Sequence, residues 1–246
     1  MILAMWSGPR NLSTAMMRSW ENRSDTVVTD EPFYGHYLNA TGIEHPGAAA
    51  VMRSQVLDWR EVARTVAIPR SPADAQPVWY QKHITTHMLD HIELDFLQAM
   101  QHCFLIRRPR LVVASYARKR EAPTVADLGF EQQRRLFEHV KNHQGESPPV
   151  IDAEQFLHNP EYWLRWLCEH VGLPFQQQML EWPAGARESD GVWHTHWYDA
   201  VKASTGFAAA PTRRAEPDIP ASLQPLVDAC QPHYDYLLSH HGPLPA

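Results

Sequence analysis

The chain opens Met1-Ile-Leu-Ala-Met-Trp-Ser-Gly-Pro-Arg-Asn-Leu-Ser-Thr-Ala-Met-Met-Arg-Ser-Trp20, and this stretch decides the fold. Met1 to Trp6 is an unbroken apolar run, the pattern of a strand buried on both faces. Ser7 to Asn11 carries Gly8 and Pro9 and predicts a tight turn. Leu12, Met16 and Trp20 then recur every four residues, as on one face of a helix, with Asn11 or Ser13 available as its cap. In a strand–loop–helix of this kind, free backbone N–H groups converge and the helix dipole favours an anion. Arg10 adds a cation at that spot, and Ser13 and Thr14 add hydroxyl donors. Gly8, Pro9, Asn11 and Leu12 complete the candidate anion loop. A Walker A loop requires Gly, four residues, then Gly-Lys-Ser/Thr. Counted from Gly8, Ser13 stands for the second Gly and Thr14 for the Lys, so the lysine that serves Mg-ATP is missing.

The whole chain agrees with a large single core. Its 246 residues are 44% hydrophobic and 20% charged, the balance of a soluble globular domain, and 1–246 reads as one domain. A net charge of −6 argues against a general nucleic-acid binder. No apolar run approaches a membrane span, and no leader precedes the first strand. Cys103, Cys168 and Cys230 are few and scattered, as in a reducing, cytoplasmic protein. Oligomeric state is not legible.

Further apolar runs at Thr26–Thr29, Val78–Lys82, Cys103–Arg107 and Pro149–Ala153 predict four more short strands. They alternate with helical patterns at Phe130–Val140, Tyr162–Val171 and Leu223–Leu238, the last with Pro225 and Pro232 as potential breaks. Strands alternating with helices predict an α/β three-layer sandwich around a five-stranded parallel sheet. Residues 35–77 read as a helical excursion with one helix over Ala48–Ala67, and Thr86–Met100 reads as another helix. Glu154–Pro160 reads as a turn. Residues 183–220 show no sustained period and suggest a lid or binding loop.

Candidate site residues cluster at predicted strand ends, where open parallel sheets bind ligands. Asp30 and Glu31 end the second strand and suit a general base or a cation site. Lys82 and His83 end the third. His83, His87 and His91 are spaced i, i+4, i+8, but His-Glu-x-x-His is absent and the expectation is no metal. Arg107, Arg108 and Arg110 stand at the start of a helix, where cations are unfavourable unless an anion compensates. Ser115 lies on that helix. Phe33, Tyr34, Tyr37 and Trp59 suggest an aromatic-lined pocket for a small acceptor.

Together these features resemble the sulfotransferase family. Pro9-Arg10-Asn11-Leu12-Ser13-Thr14 resembles its 5′-phosphosulfate loop, Pro-Lys/Arg-Ser-Gly-Thr-Thr. Arg107-x-Pro109, with Ser115 beyond, is similar to its 3′-phosphate motif. Val150-Ile-Asp-Ala-Glu154-x-Phe156-Leu157-x-x-Pro160, through to Gly172-Leu-Pro174, resembles the stretch after its last core strand. Lys82-His83 resembles its Lys-Thr-His strand end. The resemblance spans about residues 1–175 and implies a P-loop nucleotide-hydrolase-like fold. It implies transfer of a sulfuryl group from 3′-phosphoadenosine-5′-phosphosulfate (PAPS) to a hydroxyl or amine, without a metal. It also implies cofactor-binding roles for Arg10, Arg107 and Ser115, with Arg213 and Arg214 as candidates for the closing loop. The resemblance implies a general base, for which Glu31, Asp30 and His83 are the candidates. Two other functions stay open on the residues: a nucleotide kinase or NTPase with a degenerate loop, and a non-catalytic nucleotide-binding protein.

Overall fold

The structure is a computed structural model that describes residues 1–71, 73–118, 122–209 and 216–243. Five parallel strands, β1 (Ile2–Ser7), β2 (Thr26–Asp30), β3 (Val78–Ile84), β4 (Gln101–Ile106) and β5 (Val150–Asp152), form one sheet in the order β2-β3-β1-β4-β5. β1 is central, with Met5 beside Lys82 on one side and Cys103 on the other. All six of its residues are buried. Ile2, Ala4 and Trp6 face one apolar core, and Leu3 and Met5 face the other. This alternation into two cores is what a doubly covered parallel sheet requires.

The chain passes from β1 outward to β2, back to β3, then across β1 to β4. Strand order therefore reverses around β1, and a crevice opens beyond its carboxyl end. Helix α1 (Ser13–Glu21) follows there, with α8 (Ala153–His158) and α9 (Pro160–His170) on the same face of the sheet. The other face carries α4 (Trp59–Val66), α5 (Pro109–Tyr116), α6 (Val125–Leu128), α7 (Phe130–Gln144) and α12 (Gln224–Leu238).

Several expectations are corrected. The single helix over Ala48–Ala67 is two, α3 (Ala48–Ser54) and α4, and α2 (Tyr34–Thr41) precedes them. Gln55 is extended and Asp58 caps α4 by accepting from the Arg60 N–H at 2.8 Å. Thr86–Met100 is not an α-helix but two short 3₁₀ turns, Thr85–His87 and Asp95–Ala99. Arg135 donates to the Met88 carbonyl and His102 bonds the Leu97 carbonyl, supplying partners from other elements that a helix would have provided internally. The expected turn at 154–160 contains α8, because Asp152 accepts from the N–H groups of Glu154 and Gln155. α12 runs unbroken. Pro225 falls in its first turn, where a missing N–H costs nothing, and the helix continues through Pro232.

Candidate active site

A cavity of about 400 Å³ lies at the crevice beyond β1. Pro9 to Ala15 line one side. Glu31, Lys82 and Tyr198 line its depth, and Tyr34, Tyr37, His45, His87 and Trp197 form an aromatic wall. Gly8 is required by a close approach: a Cβ there would meet the Leu128 carbonyl oxygen at 3.0 Å.

The loop residues converge with a helix a hundred positions away. Arg10 Nε donates to Ser115 Oγ at 3.1 Å, and Arg107 Nη1 donates to the Arg10 carbonyl at 2.6 Å. Arg10 holds a left-handed φ of 57°, a conformation a non-glycine residue keeps only under constraint. Burial, with Arg118 nearby, lowers the Arg10 pKa from its ordinary value. A guanidinium held in such a place favours an anion beside it.

The expected cap of α1 is corrected. Asn11 Oδ1 accepts from the Leu12 N–H and its amide donates to the Leu105 carbonyl, so Asn11 braces the loop, and α1 has no side-chain cap. Its first N–H groups therefore keep their donor capacity toward the loop. Leu12 lines the cavity yet also packs against the core beside α1.

Arg108 and Arg110 are corrected as anion ligands. Arg108 pairs with Glu154 and Glu216, and Arg110 Nε lies 3.3 Å from Glu216. The anions that compensate these two cations are the chain's own carboxylates. Arg213 and Arg214 lie outside the described residues.

A second cluster occupies the ends of β2 and β3. Lys82 Nζ donates to Asp30 Oδ1 at 2.8 Å, Glu31 Oε1 at 2.5 Å and Tyr198 Oη at 2.6 Å. Burial lowers the Lys82 pKa, but Asp30 and then Glu31 outweigh it and hold it up at about 12. Lys82 is therefore the cation that lets two acids stand beside an anion loop. Burial raises the Glu31 carboxyl above the ordinary glutamate value. Lys82 opposes that shift and the Asp30 charge adds to it. Glu31 also has a left-handed φ, 43°. Gln55 stabilises that bend by donating to the Glu31 carbonyl while accepting from the Gly35 N–H.

His83 points the other way. It neighbours Lys82 along β3, so its side chain emerges on the opposite face of the sheet, where it stacks on Trp6 at 4.3 Å and bonds Gln81. Burial holds it down to about 3. It does not line the cavity, and as a base for that cavity it is corrected. The three spaced histidines do not converge: His87 stacks on Tyr34, and His91 faces His36 at 3.0 Å. No cluster of three or more His, Cys, Asp or Glu suited to a metal occurs among the described residues. Of the predicted aromatics, Tyr34 and Tyr37 line the cavity, whereas Phe33 and Trp59 are core.

Sequence reasoning missed Tyr198 and the order within 183–209. Helices α10 (His194–Trp197) and α11 (Asp199–Lys202) lie there, with Tyr198 between them. Arg18 Nη2 bonds Asp190 Oδ2 at 2.7 Å with both side chains fully buried, and the Gly191 N–H donates to Asp30 Oδ2 at 3.1 Å. The segment is thus fastened to α1 and to the acidic cluster. No helix among the described residues is long and apolar enough to cross a membrane.

A parallel sheet with its reversal at β1, an uncapped helix behind the first loop and an arginine in that loop define a P-loop-like α/β protein. The Sulfotransferase domain family matches residues 1–240, and the chain belongs to that family. It is 33% identical to branched-chain-amino-acid aminotransferase-like protein 1 of Arabidopsis thaliana over 239 residues, and 29% identical to the corresponding protein 2. These cover 97% of the chain but only 42% of each relative. Among solved structures, a sulfotransferase domain from the curacin biosynthetic pathway aligns with a TM-score of 0.51 at 14% identity, covering 99% of this chain and 98% of that one. A sulfotransferase from Alicyclobacillus acidocaldarius aligns with 0.51 at 12% identity, covering 98% and 96%. Both share the fold.

Proposed function

We propose that this domain transfers a sulfuryl group from PAPS to a hydroxyl or amine of a small acceptor. The observation that carries the reading is the convergence of Arg10, Ser115 and Arg107 at the mouth of the β1 loop. Two motifs far apart in the chain meet where one nucleotide with phosphates at both ends would need them. The residues fit such a ligand: α1 lacks a cap, Arg10, Ser13 and Thr14 line the cavity, and Leu12 has core to pack against. The pyrophosphate-like end belongs at Gly8 to Thr14, and the 3′-phosphate at Arg107 and Ser115.

When bound, PAPS supplies a sulfuryl group activated by its phosphate leaving group. Arg10 and the loop N–H groups offer fixed positive charge where a leaving oxygen would gain negative charge, which favours the transition state. Glu31 accepts the acceptor's proton, its Oε1 tied to Lys82 and its carboxyl raised above the ordinary glutamate value by burial. His87 adds a buried Nδ1 without a hydrogen-bond partner among the described residues, a hydrogen-bonding handle on the acceptor side.

The kinase reading assigns Mg²⁺ to Asp30. Both Asp30 oxygens already accept, from Lys82, Tyr198 and the Gly191 N–H. That occupancy, with the missing loop lysine, supports metal-independent transfer. The test is Arg107→Ala. It should weaken 3′-phosphoadenosine 5′-phosphate (PAP) at least tenfold more than adenosine 5′-phosphosulfate, which lacks the 3′-phosphate. Equal weakening places the 3′-phosphate elsewhere.

A further inference from the structure

Lys82, Asp30, Glu31 and Tyr198 share their hydrogen bonds unequally, and donor counting shows how. Tyr198 is buried between α10 and α11. Its hydroxyl lies 2.6 Å from Lys82 Nζ, 3.1 Å from Trp193 Nε1, 2.7 Å from Asp30 Oδ2 and 3.4 Å from Glu31 Oε1. Lysine ammonium and indole N–H only donate. The hydroxyl therefore accepts from both and must give its one proton to a carboxylate. Asp30 is the nearer.

Asp30 then holds three donors: Lys82, Tyr198 and the Gly191 N–H. Glu31 Oε1 takes Lys82 at 2.5 Å, while Oε2 has no hydrogen bond among the described residues. Both Asp30 oxygens are engaged, whereas Glu31 keeps an open oxygen at the cavity. We infer that Tyr198 is a positioning residue for Glu31, holding the Asp30–Lys82 pair so that Glu31 alone presents an oxygen to the acceptor. This rests on the reading of Glu31 as base.

The hydroxyl has a defined effect on that base. The groups that face Glu31 are Asp30 from β2, Lys82 from β3, Tyr34 from α2 and Tyr198 from the α10–α11 segment, with His87 stacked behind Tyr34. Remove the hydroxyl and Asp30 loses its nearest donor. The Lys82 ammonium is drawn toward Asp30, and the Glu31 carboxylate is less compensated. Its proton affinity rises. The same tyrosine belongs to the segment fastened through Asp190 and Gly191, so docking of that segment and readiness of the base are linked.

The experiment is a ¹³C-glutamate NMR titration of the full chain, with the Glu31 signal assigned by its loss in Glu31→Gln. In Tyr198→Phe the Glu31 midpoint should lie about 0.5 to 1 pH unit above the wild-type value. An unchanged or lower midpoint overturns the inference. 3,5-Difluorotyrosine placed at position 198 keeps the ring and strengthens the donor, so it serves even where the Phe variant does not fold. It should move the midpoint down, and no movement overturns the inference equally. Calorimetry of PAP on the wild-type chain, run alongside, separates the two claims. Absence of PAP binding sinks the sulfotransferase reading, whereas the Glu31 midpoints alone decide the role of Tyr198.

Discussion

Arg10 Nε donates to Ser115 Oγ at 3.1 Å, joining the loop after β1 to a helix residue 105 positions later. The bond fixes a guanidinium at the mouth of the cavity, on a residue whose backbone is already held left-handed. Conformational cost of this kind is on the order of 1–3 kcal/mol and persists where the surroundings over-determine it.

Arg10 should matter more to turnover than to binding. Removing a preorganised donor at a developing charge typically lowers turnover about 10²–10³-fold. We expect Arg10→Ala to show that loss in sulfuryl transfer, while PAP affinity, still served by Arg107 and the loop, falls far less. Arg10→Lys should keep part of the rate, since charge survives and fork geometry does not. Full turnover in Arg10→Ala would remove this loop from the chemistry.

Glu31 sets a pH limit. On the proposed mechanism its carboxylate is the form that takes the acceptor's proton, so activity should be present above its pKa and be lost as pH falls through it. Burial raises that pKa above the ordinary glutamate value, so the acid limb of kcat/KM should lie above about pH 4.3. Glu31→Gln should abolish the limb along with most of the rate. An acid limb that survives in Glu31→Gln assigns the base elsewhere.

Gly191 carries the segment that brings Tyr198 in. A Cβ on Gly191 would lie 2.1 Å from the Trp193 ring, far inside contact, and Trp193 is buried. Gly191→Ala must shift either the indole or the N–H that serves Asp30. Overpacking of this kind costs about 1–3 kcal/mol, and a protein of this size loses roughly 2–4 °C in Tm per kcal/mol. Differential scanning calorimetry should show a fall of several degrees. An unchanged Tm contradicts tight docking of 187–198.

The first twenty residues were legible because their information is local. An apolar run buried on both faces and a four-residue recurrence need no distant partner to be read. Arg107 and Ser115 were singled out by their resemblance to a family motif, and the structure ties both to Arg10. Errors arose where side chains outside a segment decide its backbone structure: Arg135 and His102 satisfy carbonyls at Met88 and Leu97, and no periodicity within 86–100 records that. Arg108 and Arg110 looked like anion ligands because Glu154 and Glu216, their partners, lie 46 and about a hundred positions away. His83 fails for a reason strand geometry supplies: neighbours in a strand face opposite ways, so Lys82 and His83 could not both enter one cavity. Tyr198 carried no local signal. Asp58 and Asp152, each just before a helix, were caps that N-terminal signatures mark.

The β1 loop, with Arg107 and Ser115, is proposed to bind a 3′-phosphorylated adenosine nucleotide, and every step of the proposed transfer depends on that binding. It is tested most directly by thermal denaturation with PAP, or with ATP and Mg²⁺, each at equal concentration. A ligand at 100 times its Kd adds about 2.7 kcal/mol, or roughly 5–10 °C in a protein of this size. PAP should produce that rise, in EDTA as well as in Mg²⁺, and ATP with Mg²⁺ should not. A rise with ATP and Mg²⁺ but none with PAP would contradict the account.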